Sequence, residues 1–254
     1  MENFNVNSYI YGKNPVLEAL ENTPFRLNKI YIQIGISYDN RMKKIIELAN
    51  SKKINIQKTN LQKFADNFEQ DTNFQGVIAS VSCVEYIELE DFLNIKKDDY
   101  KRLIILDGIT DPHNFGAIIR TAAASSFDGV MVANHRSCPI TPVVEKASSG
   151  AVNHVPIIKT TSLSASIDVL KRNDFWVIAT TMNASDNYFE IDYTDMNFAL
   201  VMGSEGSGVS KTILNKSDFN VKIISDFESL NVSAACAVIA YEAKRQIYLK
   251  SNKI

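Results

Sequence analysis

The sequence predicts an α/β protein in which a C-terminal parallel sheet layered with helices follows a small N-terminal α/β domain. Three observations carry this. From residue 103 onward, short continuous apolar runs alternate with helix-period stretches, the pattern of strands buried on both faces of a parallel sheet. Before residue 84, shorter strand-like runs interleave with amphipathic helices. Between the two lies a charged stretch. The 254 residues suit one large or two small domains, and a 45% hydrophobic content supplies a core.

The elements follow in chain order. Asn14 to Leu20 reads as a short helix, and Lys29 to Gln33 (KIYIQ) alternates as a strand. Asn40 to Asn50 places Met42, Ile45, Ile46 and Ala49 on one helical face and its lysines on the other. Ile54 to Gln57 reads as a strand, Leu61 to Phe68 as a helix and Gly76 to Ser82 as a third strand. Ile87 to Lys101 is charged and lacks a core pattern, so it reads as a linker carrying a short helix. The domains expected are therefore 1–84 and 102–254, joined by 85–101. Strands are expected at Leu103 to Leu106, Val130 to Ala133, Trp176 to Thr180, Ala199 to Met202 and Val221 to Ile224, with helices between most of them and after the last.

Charge narrows the function classes. The net charge is -2, so the whole chain is not a basic nucleic-acid binder, although a local patch would suffice for RNA. Such a patch exists: Arg41 to Lys63 carries seven basic residues against Glu47 alone. Its members Lys43, Lys44, Lys52 and Lys53 are candidate RNA phosphate contacts, with an ordinary solvated face as the alternative. Cys83, Cys138 and Cys236 are scattered, without metal spacing or a disulfide frame, so no metal is expected. No signal-type N-terminus and no apolar run of about 18 residues is present, so a soluble cytoplasmic protein, free of the membrane, is expected.

Three islands carry the chemistry: Asp107 to Ala124 (DGITDPHNFGAIIRTAAA), Leu200 to Val209 (LVMGSEGSGV) and Ser229 to Glu242 (SLNVSAACAVIAYE). Each begins where an apolar run ends, and strand ends facing helix starts are where α/β sheets build ligand sites. In the first, Asn114 can cap the following helix, Gly116 permits close approach of another backbone, and Arg120 sits among small residues suited to close packing or an interface. His113 reads as a structural loop histidine. In the second, Glu205 stands where a dinucleotide fingerprint would bring a phosphate, so a hydroxyl-rich or cationic ligand fits better. In the third, Ser229 or Asn231 precedes an Ala-rich helix from Ala234 to Gln246. Taken singly, a capped core helix, a Gly/Ser turn and another capped helix explain each island without function.

Together the islands resemble the SpoU branch of the SPOUT RNA methyltransferases, also called the TrmH family. DPHNFGAIIRTA is similar to its first motif, LVMGSEGSG to its second and SLNVSAACAVIAYE to its third. YIYGKNPVLEAL near the start and NFQGVIA before the linker resemble the ribosomal-protein-like RNA-binding domain of bacterial 23S rRNA guanosine 2'-O-methyltransferases. The resemblance implies a deep C-terminal trefoil knot, a rare exception to unknotted chains, S-adenosylmethionine as cofactor, and a homodimer. It assigns the cofactor to Thr180, Thr181, Gly203, Ser204, Glu205, Gly206, Ile223 and Leu230, and catalysis to Asn114, Arg120, Glu205, Ser229 and Asn231. Two departures stand out. Ile223-Ile224-Ser225 replaces the usual Ile-Pro-Met, and Asn73-Phe74 precedes Gln75-Gly76 where the family has the His of HQG.

The implied reaction is methyl transfer from a sulfonium to the ribose 2'-hydroxyl of RNA, with a 23S rRNA guanosine as the expected target. An Arg base is physically awkward because guanidinium stays protonated; Arg120 better holds a phosphate or the developing alkoxide. Asn114 and Asn231 would then orient substrate or loop, and Glu205 would position Arg120 or a hydroxyl. A tRNA 2'-O-methyltransferase and a non-catalytic RNA-binding or ribosome-assembly protein are the rival readings.

Overall fold

The structure, a computed structural model, describes residues 9–22, 24–62, 73–82, 84–97, 99–226 and 228–252. The chain divides into two compact units, residues 1–86 with 139–142, and residues 87–138 with 143–254.

The first unit holds β1 (Tyr9–Tyr11), α1 (Lys13–Asn22), β2 (Leu27–Gln33), α2 (Asn40–Ser51), β3 (Asn55–Thr59) and β4 (Val77–Val81). The sheet order is β1-β4-β2-β3, with β2 and β3 parallel and the other pairs antiparallel. Asp39 caps α2 by accepting from the Met42 amide at 2.9 Å. The expected apolar face is realised: Met42, Ile45 and Ala49 are buried with Val16, Leu20, Ile30 and Val77, and Ile46 packs at the edge. Of the helix expected at Leu61 to Phe68, residues 63–68 lie outside the described residues. The Asn-Phe departure ends in a turn. Gln75, at φ 49°, accepts the Lys13 amide on its side-chain oxygen at 3.1 Å, which ties the start of β4 to the start of α1.

The rest of the chain continues from β5 (Tyr86–Ile87) through α3 (Leu89–Asn94), β6 (Arg102–Asp107), α4 (Pro112–Ala124), β7 (Gly129–Ala133), α5 (Pro142–Ala147), β8 (Ile157–Thr160), α6 (Leu163–Arg172), β9 (Phe175–Thr180), β10 (Asp186–Asn187), β11 (Asn197–Gly203), α7 (Lys211–Leu214), β12 (Phe219–Lys222) and α8 (Val232–Ser251). The eight-stranded sheet has the order β10-β12-β9-β11-β6-β7-β8-β5, and the six neighbouring pairs from β10 to β8 are all parallel. Leu103, Ile105, Val177, Ala179, Ala199 and Val201 are fully buried, which explains their unbroken apolar runs. Register aligns Asp107 with Gly203, Val201 with Ala179, and Thr180 with Val221. The carboxyl ends of β6, β11, β9 and β12 therefore stand side by side.

Two expectations are corrected here. Ile87 to Lys101 does carry a core pattern: Leu89 and Phe92 are buried against Met131, Ile158 and Ile167, with Leu93 packed beside them. Their helical spacing is masked by flanking charges. One of these, Lys101, spends its ammonium on the Phe92 and Leu93 carbonyls closing α3. The strand expected at Val221 to Ile224 starts and ends earlier, and Ile224 is exposed. An apolar Ile-Ile pair after a strand resembles its continuation when no partner strand can be seen.

Candidate functional site

The site is built at those neighbouring strand ends. Gly108, at φ +81°, turns the chain out of β6. Asp107 accepts the Ser210 amide at 2.8 Å, which anchors the loop after β11 to the end of β6. At the start of α4 the expected cap is corrected. Asp111, not Asn114, is the N-cap and accepts the Asn114 amide at 2.9 Å. Pro112 takes the first helical position, where a missing N–H costs nothing. Asn114 is thereby one turn into the helix, with its carboxamide free for other work. Gly116 supplies the expected close approach: a Cβ there would lie 2.5 Å from the Ala147 Cβ and 2.9 Å from the Val144 carbonyl oxygen. His113 is exposed.

After β11 the loop closes on itself. A Cβ at Gly203 would stand 2.1 Å from the Gly208 carbonyl carbon and the Val209 nitrogen, so no larger residue fits. Gly208 donates its amide to the Ser204 carbonyl at 2.8 Å, and the Ser204 and Ser207 hydroxyls pair at 2.7 Å. This tight return holds Glu205 outward.

Asn231 caps α8, its Oδ1 accepting the Ser233 and Ala234 amides at 2.9 and 3.4 Å and the Ser233 hydroxyl at 2.6 Å. Its Nδ2 donates to Glu205 Oε1 at 2.7 Å and to Asn114 Oδ1 at 2.9 Å. Asn114 Nδ2 donates to the same Glu205 oxygen at 3.1 Å. One residue from each of the three sequence islands thus meets in a closed hydrogen-bonded triangle, and 117 sequence positions separate its ends. Glu205 lies near the N-termini of α4 and α8, whose dipoles favour a carboxylate.

Two cavities flank the triangle. The larger, about 320 Å³, is lined by Thr180, Thr181, Gly203, Ser204, Glu205, Gly206, Ile223, Ser229 and Leu230 among others. All eight expected cofactor positions therefore share one cleft, joined by Ser229. Met182, Asn183, Met202, Lys222 and Ser225 line it as well and were missed. A sequence signal existed, because each lies at or just beyond the carboxyl end of β9, β11 or β12. The smaller cavity, about 240 Å³, is lined by Gly108 to Asp111, Asn114, Ser204, Glu205, Gly206 and Val232. Glu205 walls both.

The remaining expected residues stand elsewhere. Arg120 is exposed on α4, six positions past Asn114 and about 9 Å along the axis. It is not drawn into the triangle, and its guanidinium has no hydrogen-bond partner among the described residues. In the N-terminal unit, Lys43, Lys44 and Lys53 are exposed and Lys52 half-buried at the end of α2. Lys44 pairs with Glu21 at 2.6 Å. Cys138 and Cys236 are buried, and burial pushes both thiols up to about 12, so neither is a nucleophile. Among the described residues, no helix is long and apolar enough to cross a membrane.

Comparison with known proteins agrees with this architecture. Residues 101–241 match the SpoU rRNA Methylase family, and residues 9–87 match the RNA 2'-O ribose methyltransferase substrate binding family. A TrmH family tRNA/rRNA methyltransferase of Staphylococcus epidermidis is 40% identical over 248 residues, covering 96% of this chain and 98% of its own. An AdoMet-bound rRNA methyltransferase from Sinorhizobium meliloti superposes with a TM-score of 0.58 at 20% identity, over 93% of this chain and 86% of its own. A TrmH/SpoU tRNA modifying enzyme of A. aeolicus superposes with a TM-score of 0.55 at 29% identity, over 64% of this chain and 82% of its own. With its three motifs converging on one carboxylate and its length matched in both units, the chain belongs to the SpoU (TrmH) family and is an RNA 2'-O-ribose methyltransferase.

Proposed function

We propose that this chain transfers the methyl group of S-adenosylmethionine to the ribose 2'-hydroxyl of a guanosine in 23S rRNA. The observation that carries the reading is the triangle of Asn114, Glu205 and Asn231 between two cavities, one suited to the cofactor and the other to the target nucleotide.

The larger cleft fits the cofactor. Its volume is that of a small-molecule site. Its walls combine apolar Met202, Val221 and Leu230 with the Thr180 and Thr181 hydroxyls and the glycine backbone of the 203–208 loop. Glu205 gives it a negative charge, which suits a sulfonium better than a phosphate. The cofactor supplies an electrophilic methyl group when bound. The chain's residues do the rest. Glu205 Oε1 is saturated by two carboxamide donors, which leaves Oε2 to accept a hydrogen bond from the 2'-hydroxyl and orient its lone pair. The carboxamides hold that carboxylate in place, and positioning of this kind supplies a large part of a transfer barrier. Arg120 serves a second subunit of a homodimer, holding a phosphate or the developing alkoxide there. Its lack of a partner among the described residues supports that assignment. The deep knot implied by the family resemblance is part of the same reading.

An rRNA target is favoured over tRNA because the likeness to the S. meliloti rRNA enzyme runs through both units, whereas the tRNA modifying enzyme matches 64% of the chain. The test combines calorimetric titration with S-adenosylmethionine and methylation of total RNA from cells lacking the chain, followed by mapping of 2'-O-methyl nucleosides. Saturable cofactor binding and one new methylated guanosine in 23S rRNA are expected. Cofactor binding with a tRNA product refutes the rRNA assignment alone. RNA binding without cofactor binding or product refutes the enzyme.

A further inference from the structure

We infer that Asp111 selects the base of the target nucleotide by accepting from the two adjacent donors of a guanine edge. The inference rests on the proposed ribose methylation and adds the residue that reads the base.

The smaller cavity carries the argument. It shares Ser204, Glu205, Gly206 and Val232 with the cofactor cleft, so a nucleotide seated in it lies against the wall where the methyl group is delivered. Its side-chain chemistry is biased toward acceptors. Asp111 and Glu205 bring carboxylates, Thr110 and Ser204 bring hydroxyls, and among the described residues no lysine, arginine or histidine lines it. A phosphate entering it would meet two negative charges, whereas a nucleoside can present donors. The cavity is also preformed. Gly108 turns at φ +81°, the Cys138 amide donates to the Ile109 carbonyl at 2.9 Å, and the Asn114 amide fixes Asp111 Oδ2 at 2.9 Å. A carboxylate has about four lone-pair sites, and capping uses one.

Glu205 is committed to the triangle and the ribose. Asp111 is the carboxylate left for the base, and of the remaining acceptors it alone offers two neighbouring oxygens on one side chain. Guanine alone presents two neighbouring donors, N1–H and the 2-amino group, which match the two oxygens of a carboxylate. Adenine, cytosine and uracil place an acceptor beside their donor on that edge, and a carboxylate repels it. A bidentate pairing of this kind discriminates by roughly ten- to a hundredfold.

The test uses Asp111→Asn, since Asn caps a helix as well as Asp does and so spares α4. Asp111→Ser, also a good cap without a carboxylate, serves if the first variant folds poorly. Total RNA from cells lacking the chain is methylated with S-adenosylmethionine, and the product nucleoside is identified by mass spectrometry. Wild type is expected to yield 2'-O-methylguanosine only. Asp111→Asn is expected to lower kcat/KM for RNA roughly ten- to a hundredfold, with melting temperature and cofactor affinity unchanged. With the mapped guanosine replaced by inosine, which lacks the 2-amino group, wild type should slow while Asp111→Asn treats the two alike. Wild-type rates in the variant overturn the inference, as does an equal response of both proteins to inosine. A methylated nucleoside other than guanosine overturns it while leaving the methyltransferase reading intact. Absence of any product together with absence of cofactor binding is instead the failure of that reading.

Discussion

Asn231→Asp separates the two jobs of Asn231. The side-chain oxygen caps α8, and Asp caps equally well, so the 20-residue helix keeps its start. The Nδ2 donor is what disappears. In its place a carboxylate oxygen would face Glu205 Oε1 across the present 2.7 Å. Two unit charges at that distance repel by about 1.5 kcal/mol at the permittivity of water and about 6 at a value of 20. Both residues are exposed, so the lower figure applies. The lost hydrogen bond to a charged group adds about 1.5–3 kcal/mol. The smaller values together amount to about 3 kcal/mol, or roughly a hundredfold. Glu205 relieves the repulsion by leaving its place, and the 203–208 loop follows. The melting temperature should therefore fall by no more than about 6 °C, the share of a lost hydrogen bond of about 1.5 kcal/mol, while cofactor affinity by calorimetry falls toward a hundredfold and methylation is lost. Adding Glu205→Gln restores a donor opposite the new carboxylate and should recover cofactor affinity but not methylation. Wild-type cofactor affinity in the single variant would refute the reasoning, as would failure of the double variant to recover it.

Arg120→Ala should abolish methylation with cofactor affinity nearly intact, because an interaction made with substrate or transition state lowers turnover without weakening the cofactor. Mixing it with Glu205→Ala should return some activity if subunits exchange and the site is shared; an active monomer by light scattering would exclude sharing. Reversing Lys43, Lys44, Lys52 and Lys53 to Glu should weaken RNA binding and flatten its log–log salt dependence by up to roughly 3 units, about 0.7 per phosphate contact; an unchanged slope in filter binding would make the patch a solvated face. Burial pushes the Lys159 amine on β8 from 10.5 down to about 8. Between those values the unfolded chain binds more protons, so this residue's contribution to stability rises with pH. Relative to Lys159→Met, wild type should gain roughly 1–2 kcal/mol from pH 8 to 9.5 in denaturant melts.

The central strands of the parallel sheet were legible because their residues are buried on both faces, and unbroken runs such as Leu103 to Leu106 are the direct trace of that. The strands missed run from the two residues of Tyr86–Ile87 and of Asp186–Asn187 to the four of Ile157–Thr160, whose apolar part is Ile157 and Ile158 alone. Asp186–Asn187 at one edge is two polar residues defined wholly by its partner β12, and Tyr9–Tyr11 is too short to show alternation. That the eight positions expected to hold the cofactor share one cleft was legible through motif order. The geometry of Asn114 was not. The sequence suggests Asn114 as the cap, whereas Asp111 holds that place, and a helix takes one N-cap. Only the arrival of Glu205 and Asn231, 91 and 117 positions away, reveals what the spare carboxamide does. Met182 and Lys222 carried a signal in their place at strand ends, but that β9 and β12 are neighbours, which brings them to one cleft, is set by the sheet order.

Glu205, Ser204 and Gly206 form a partition common to two chambers, and a partition this thin makes the chambers thermodynamically dependent. Any displacement of Glu205 that favours a guest on one side changes the reception of a guest on the other. Linkage makes that dependence symmetrical: the factor by which bound RNA alters cofactor affinity equals the factor by which bound cofactor alters RNA affinity. On the proposed reading, a cofactor that had given up its methyl group would carry no sulfonium charge, and Glu205 would lose the electrostatic partner that its carboxylate faces on that side. The partition proposed to bring the two reactants together would thus weaken its hold on both products.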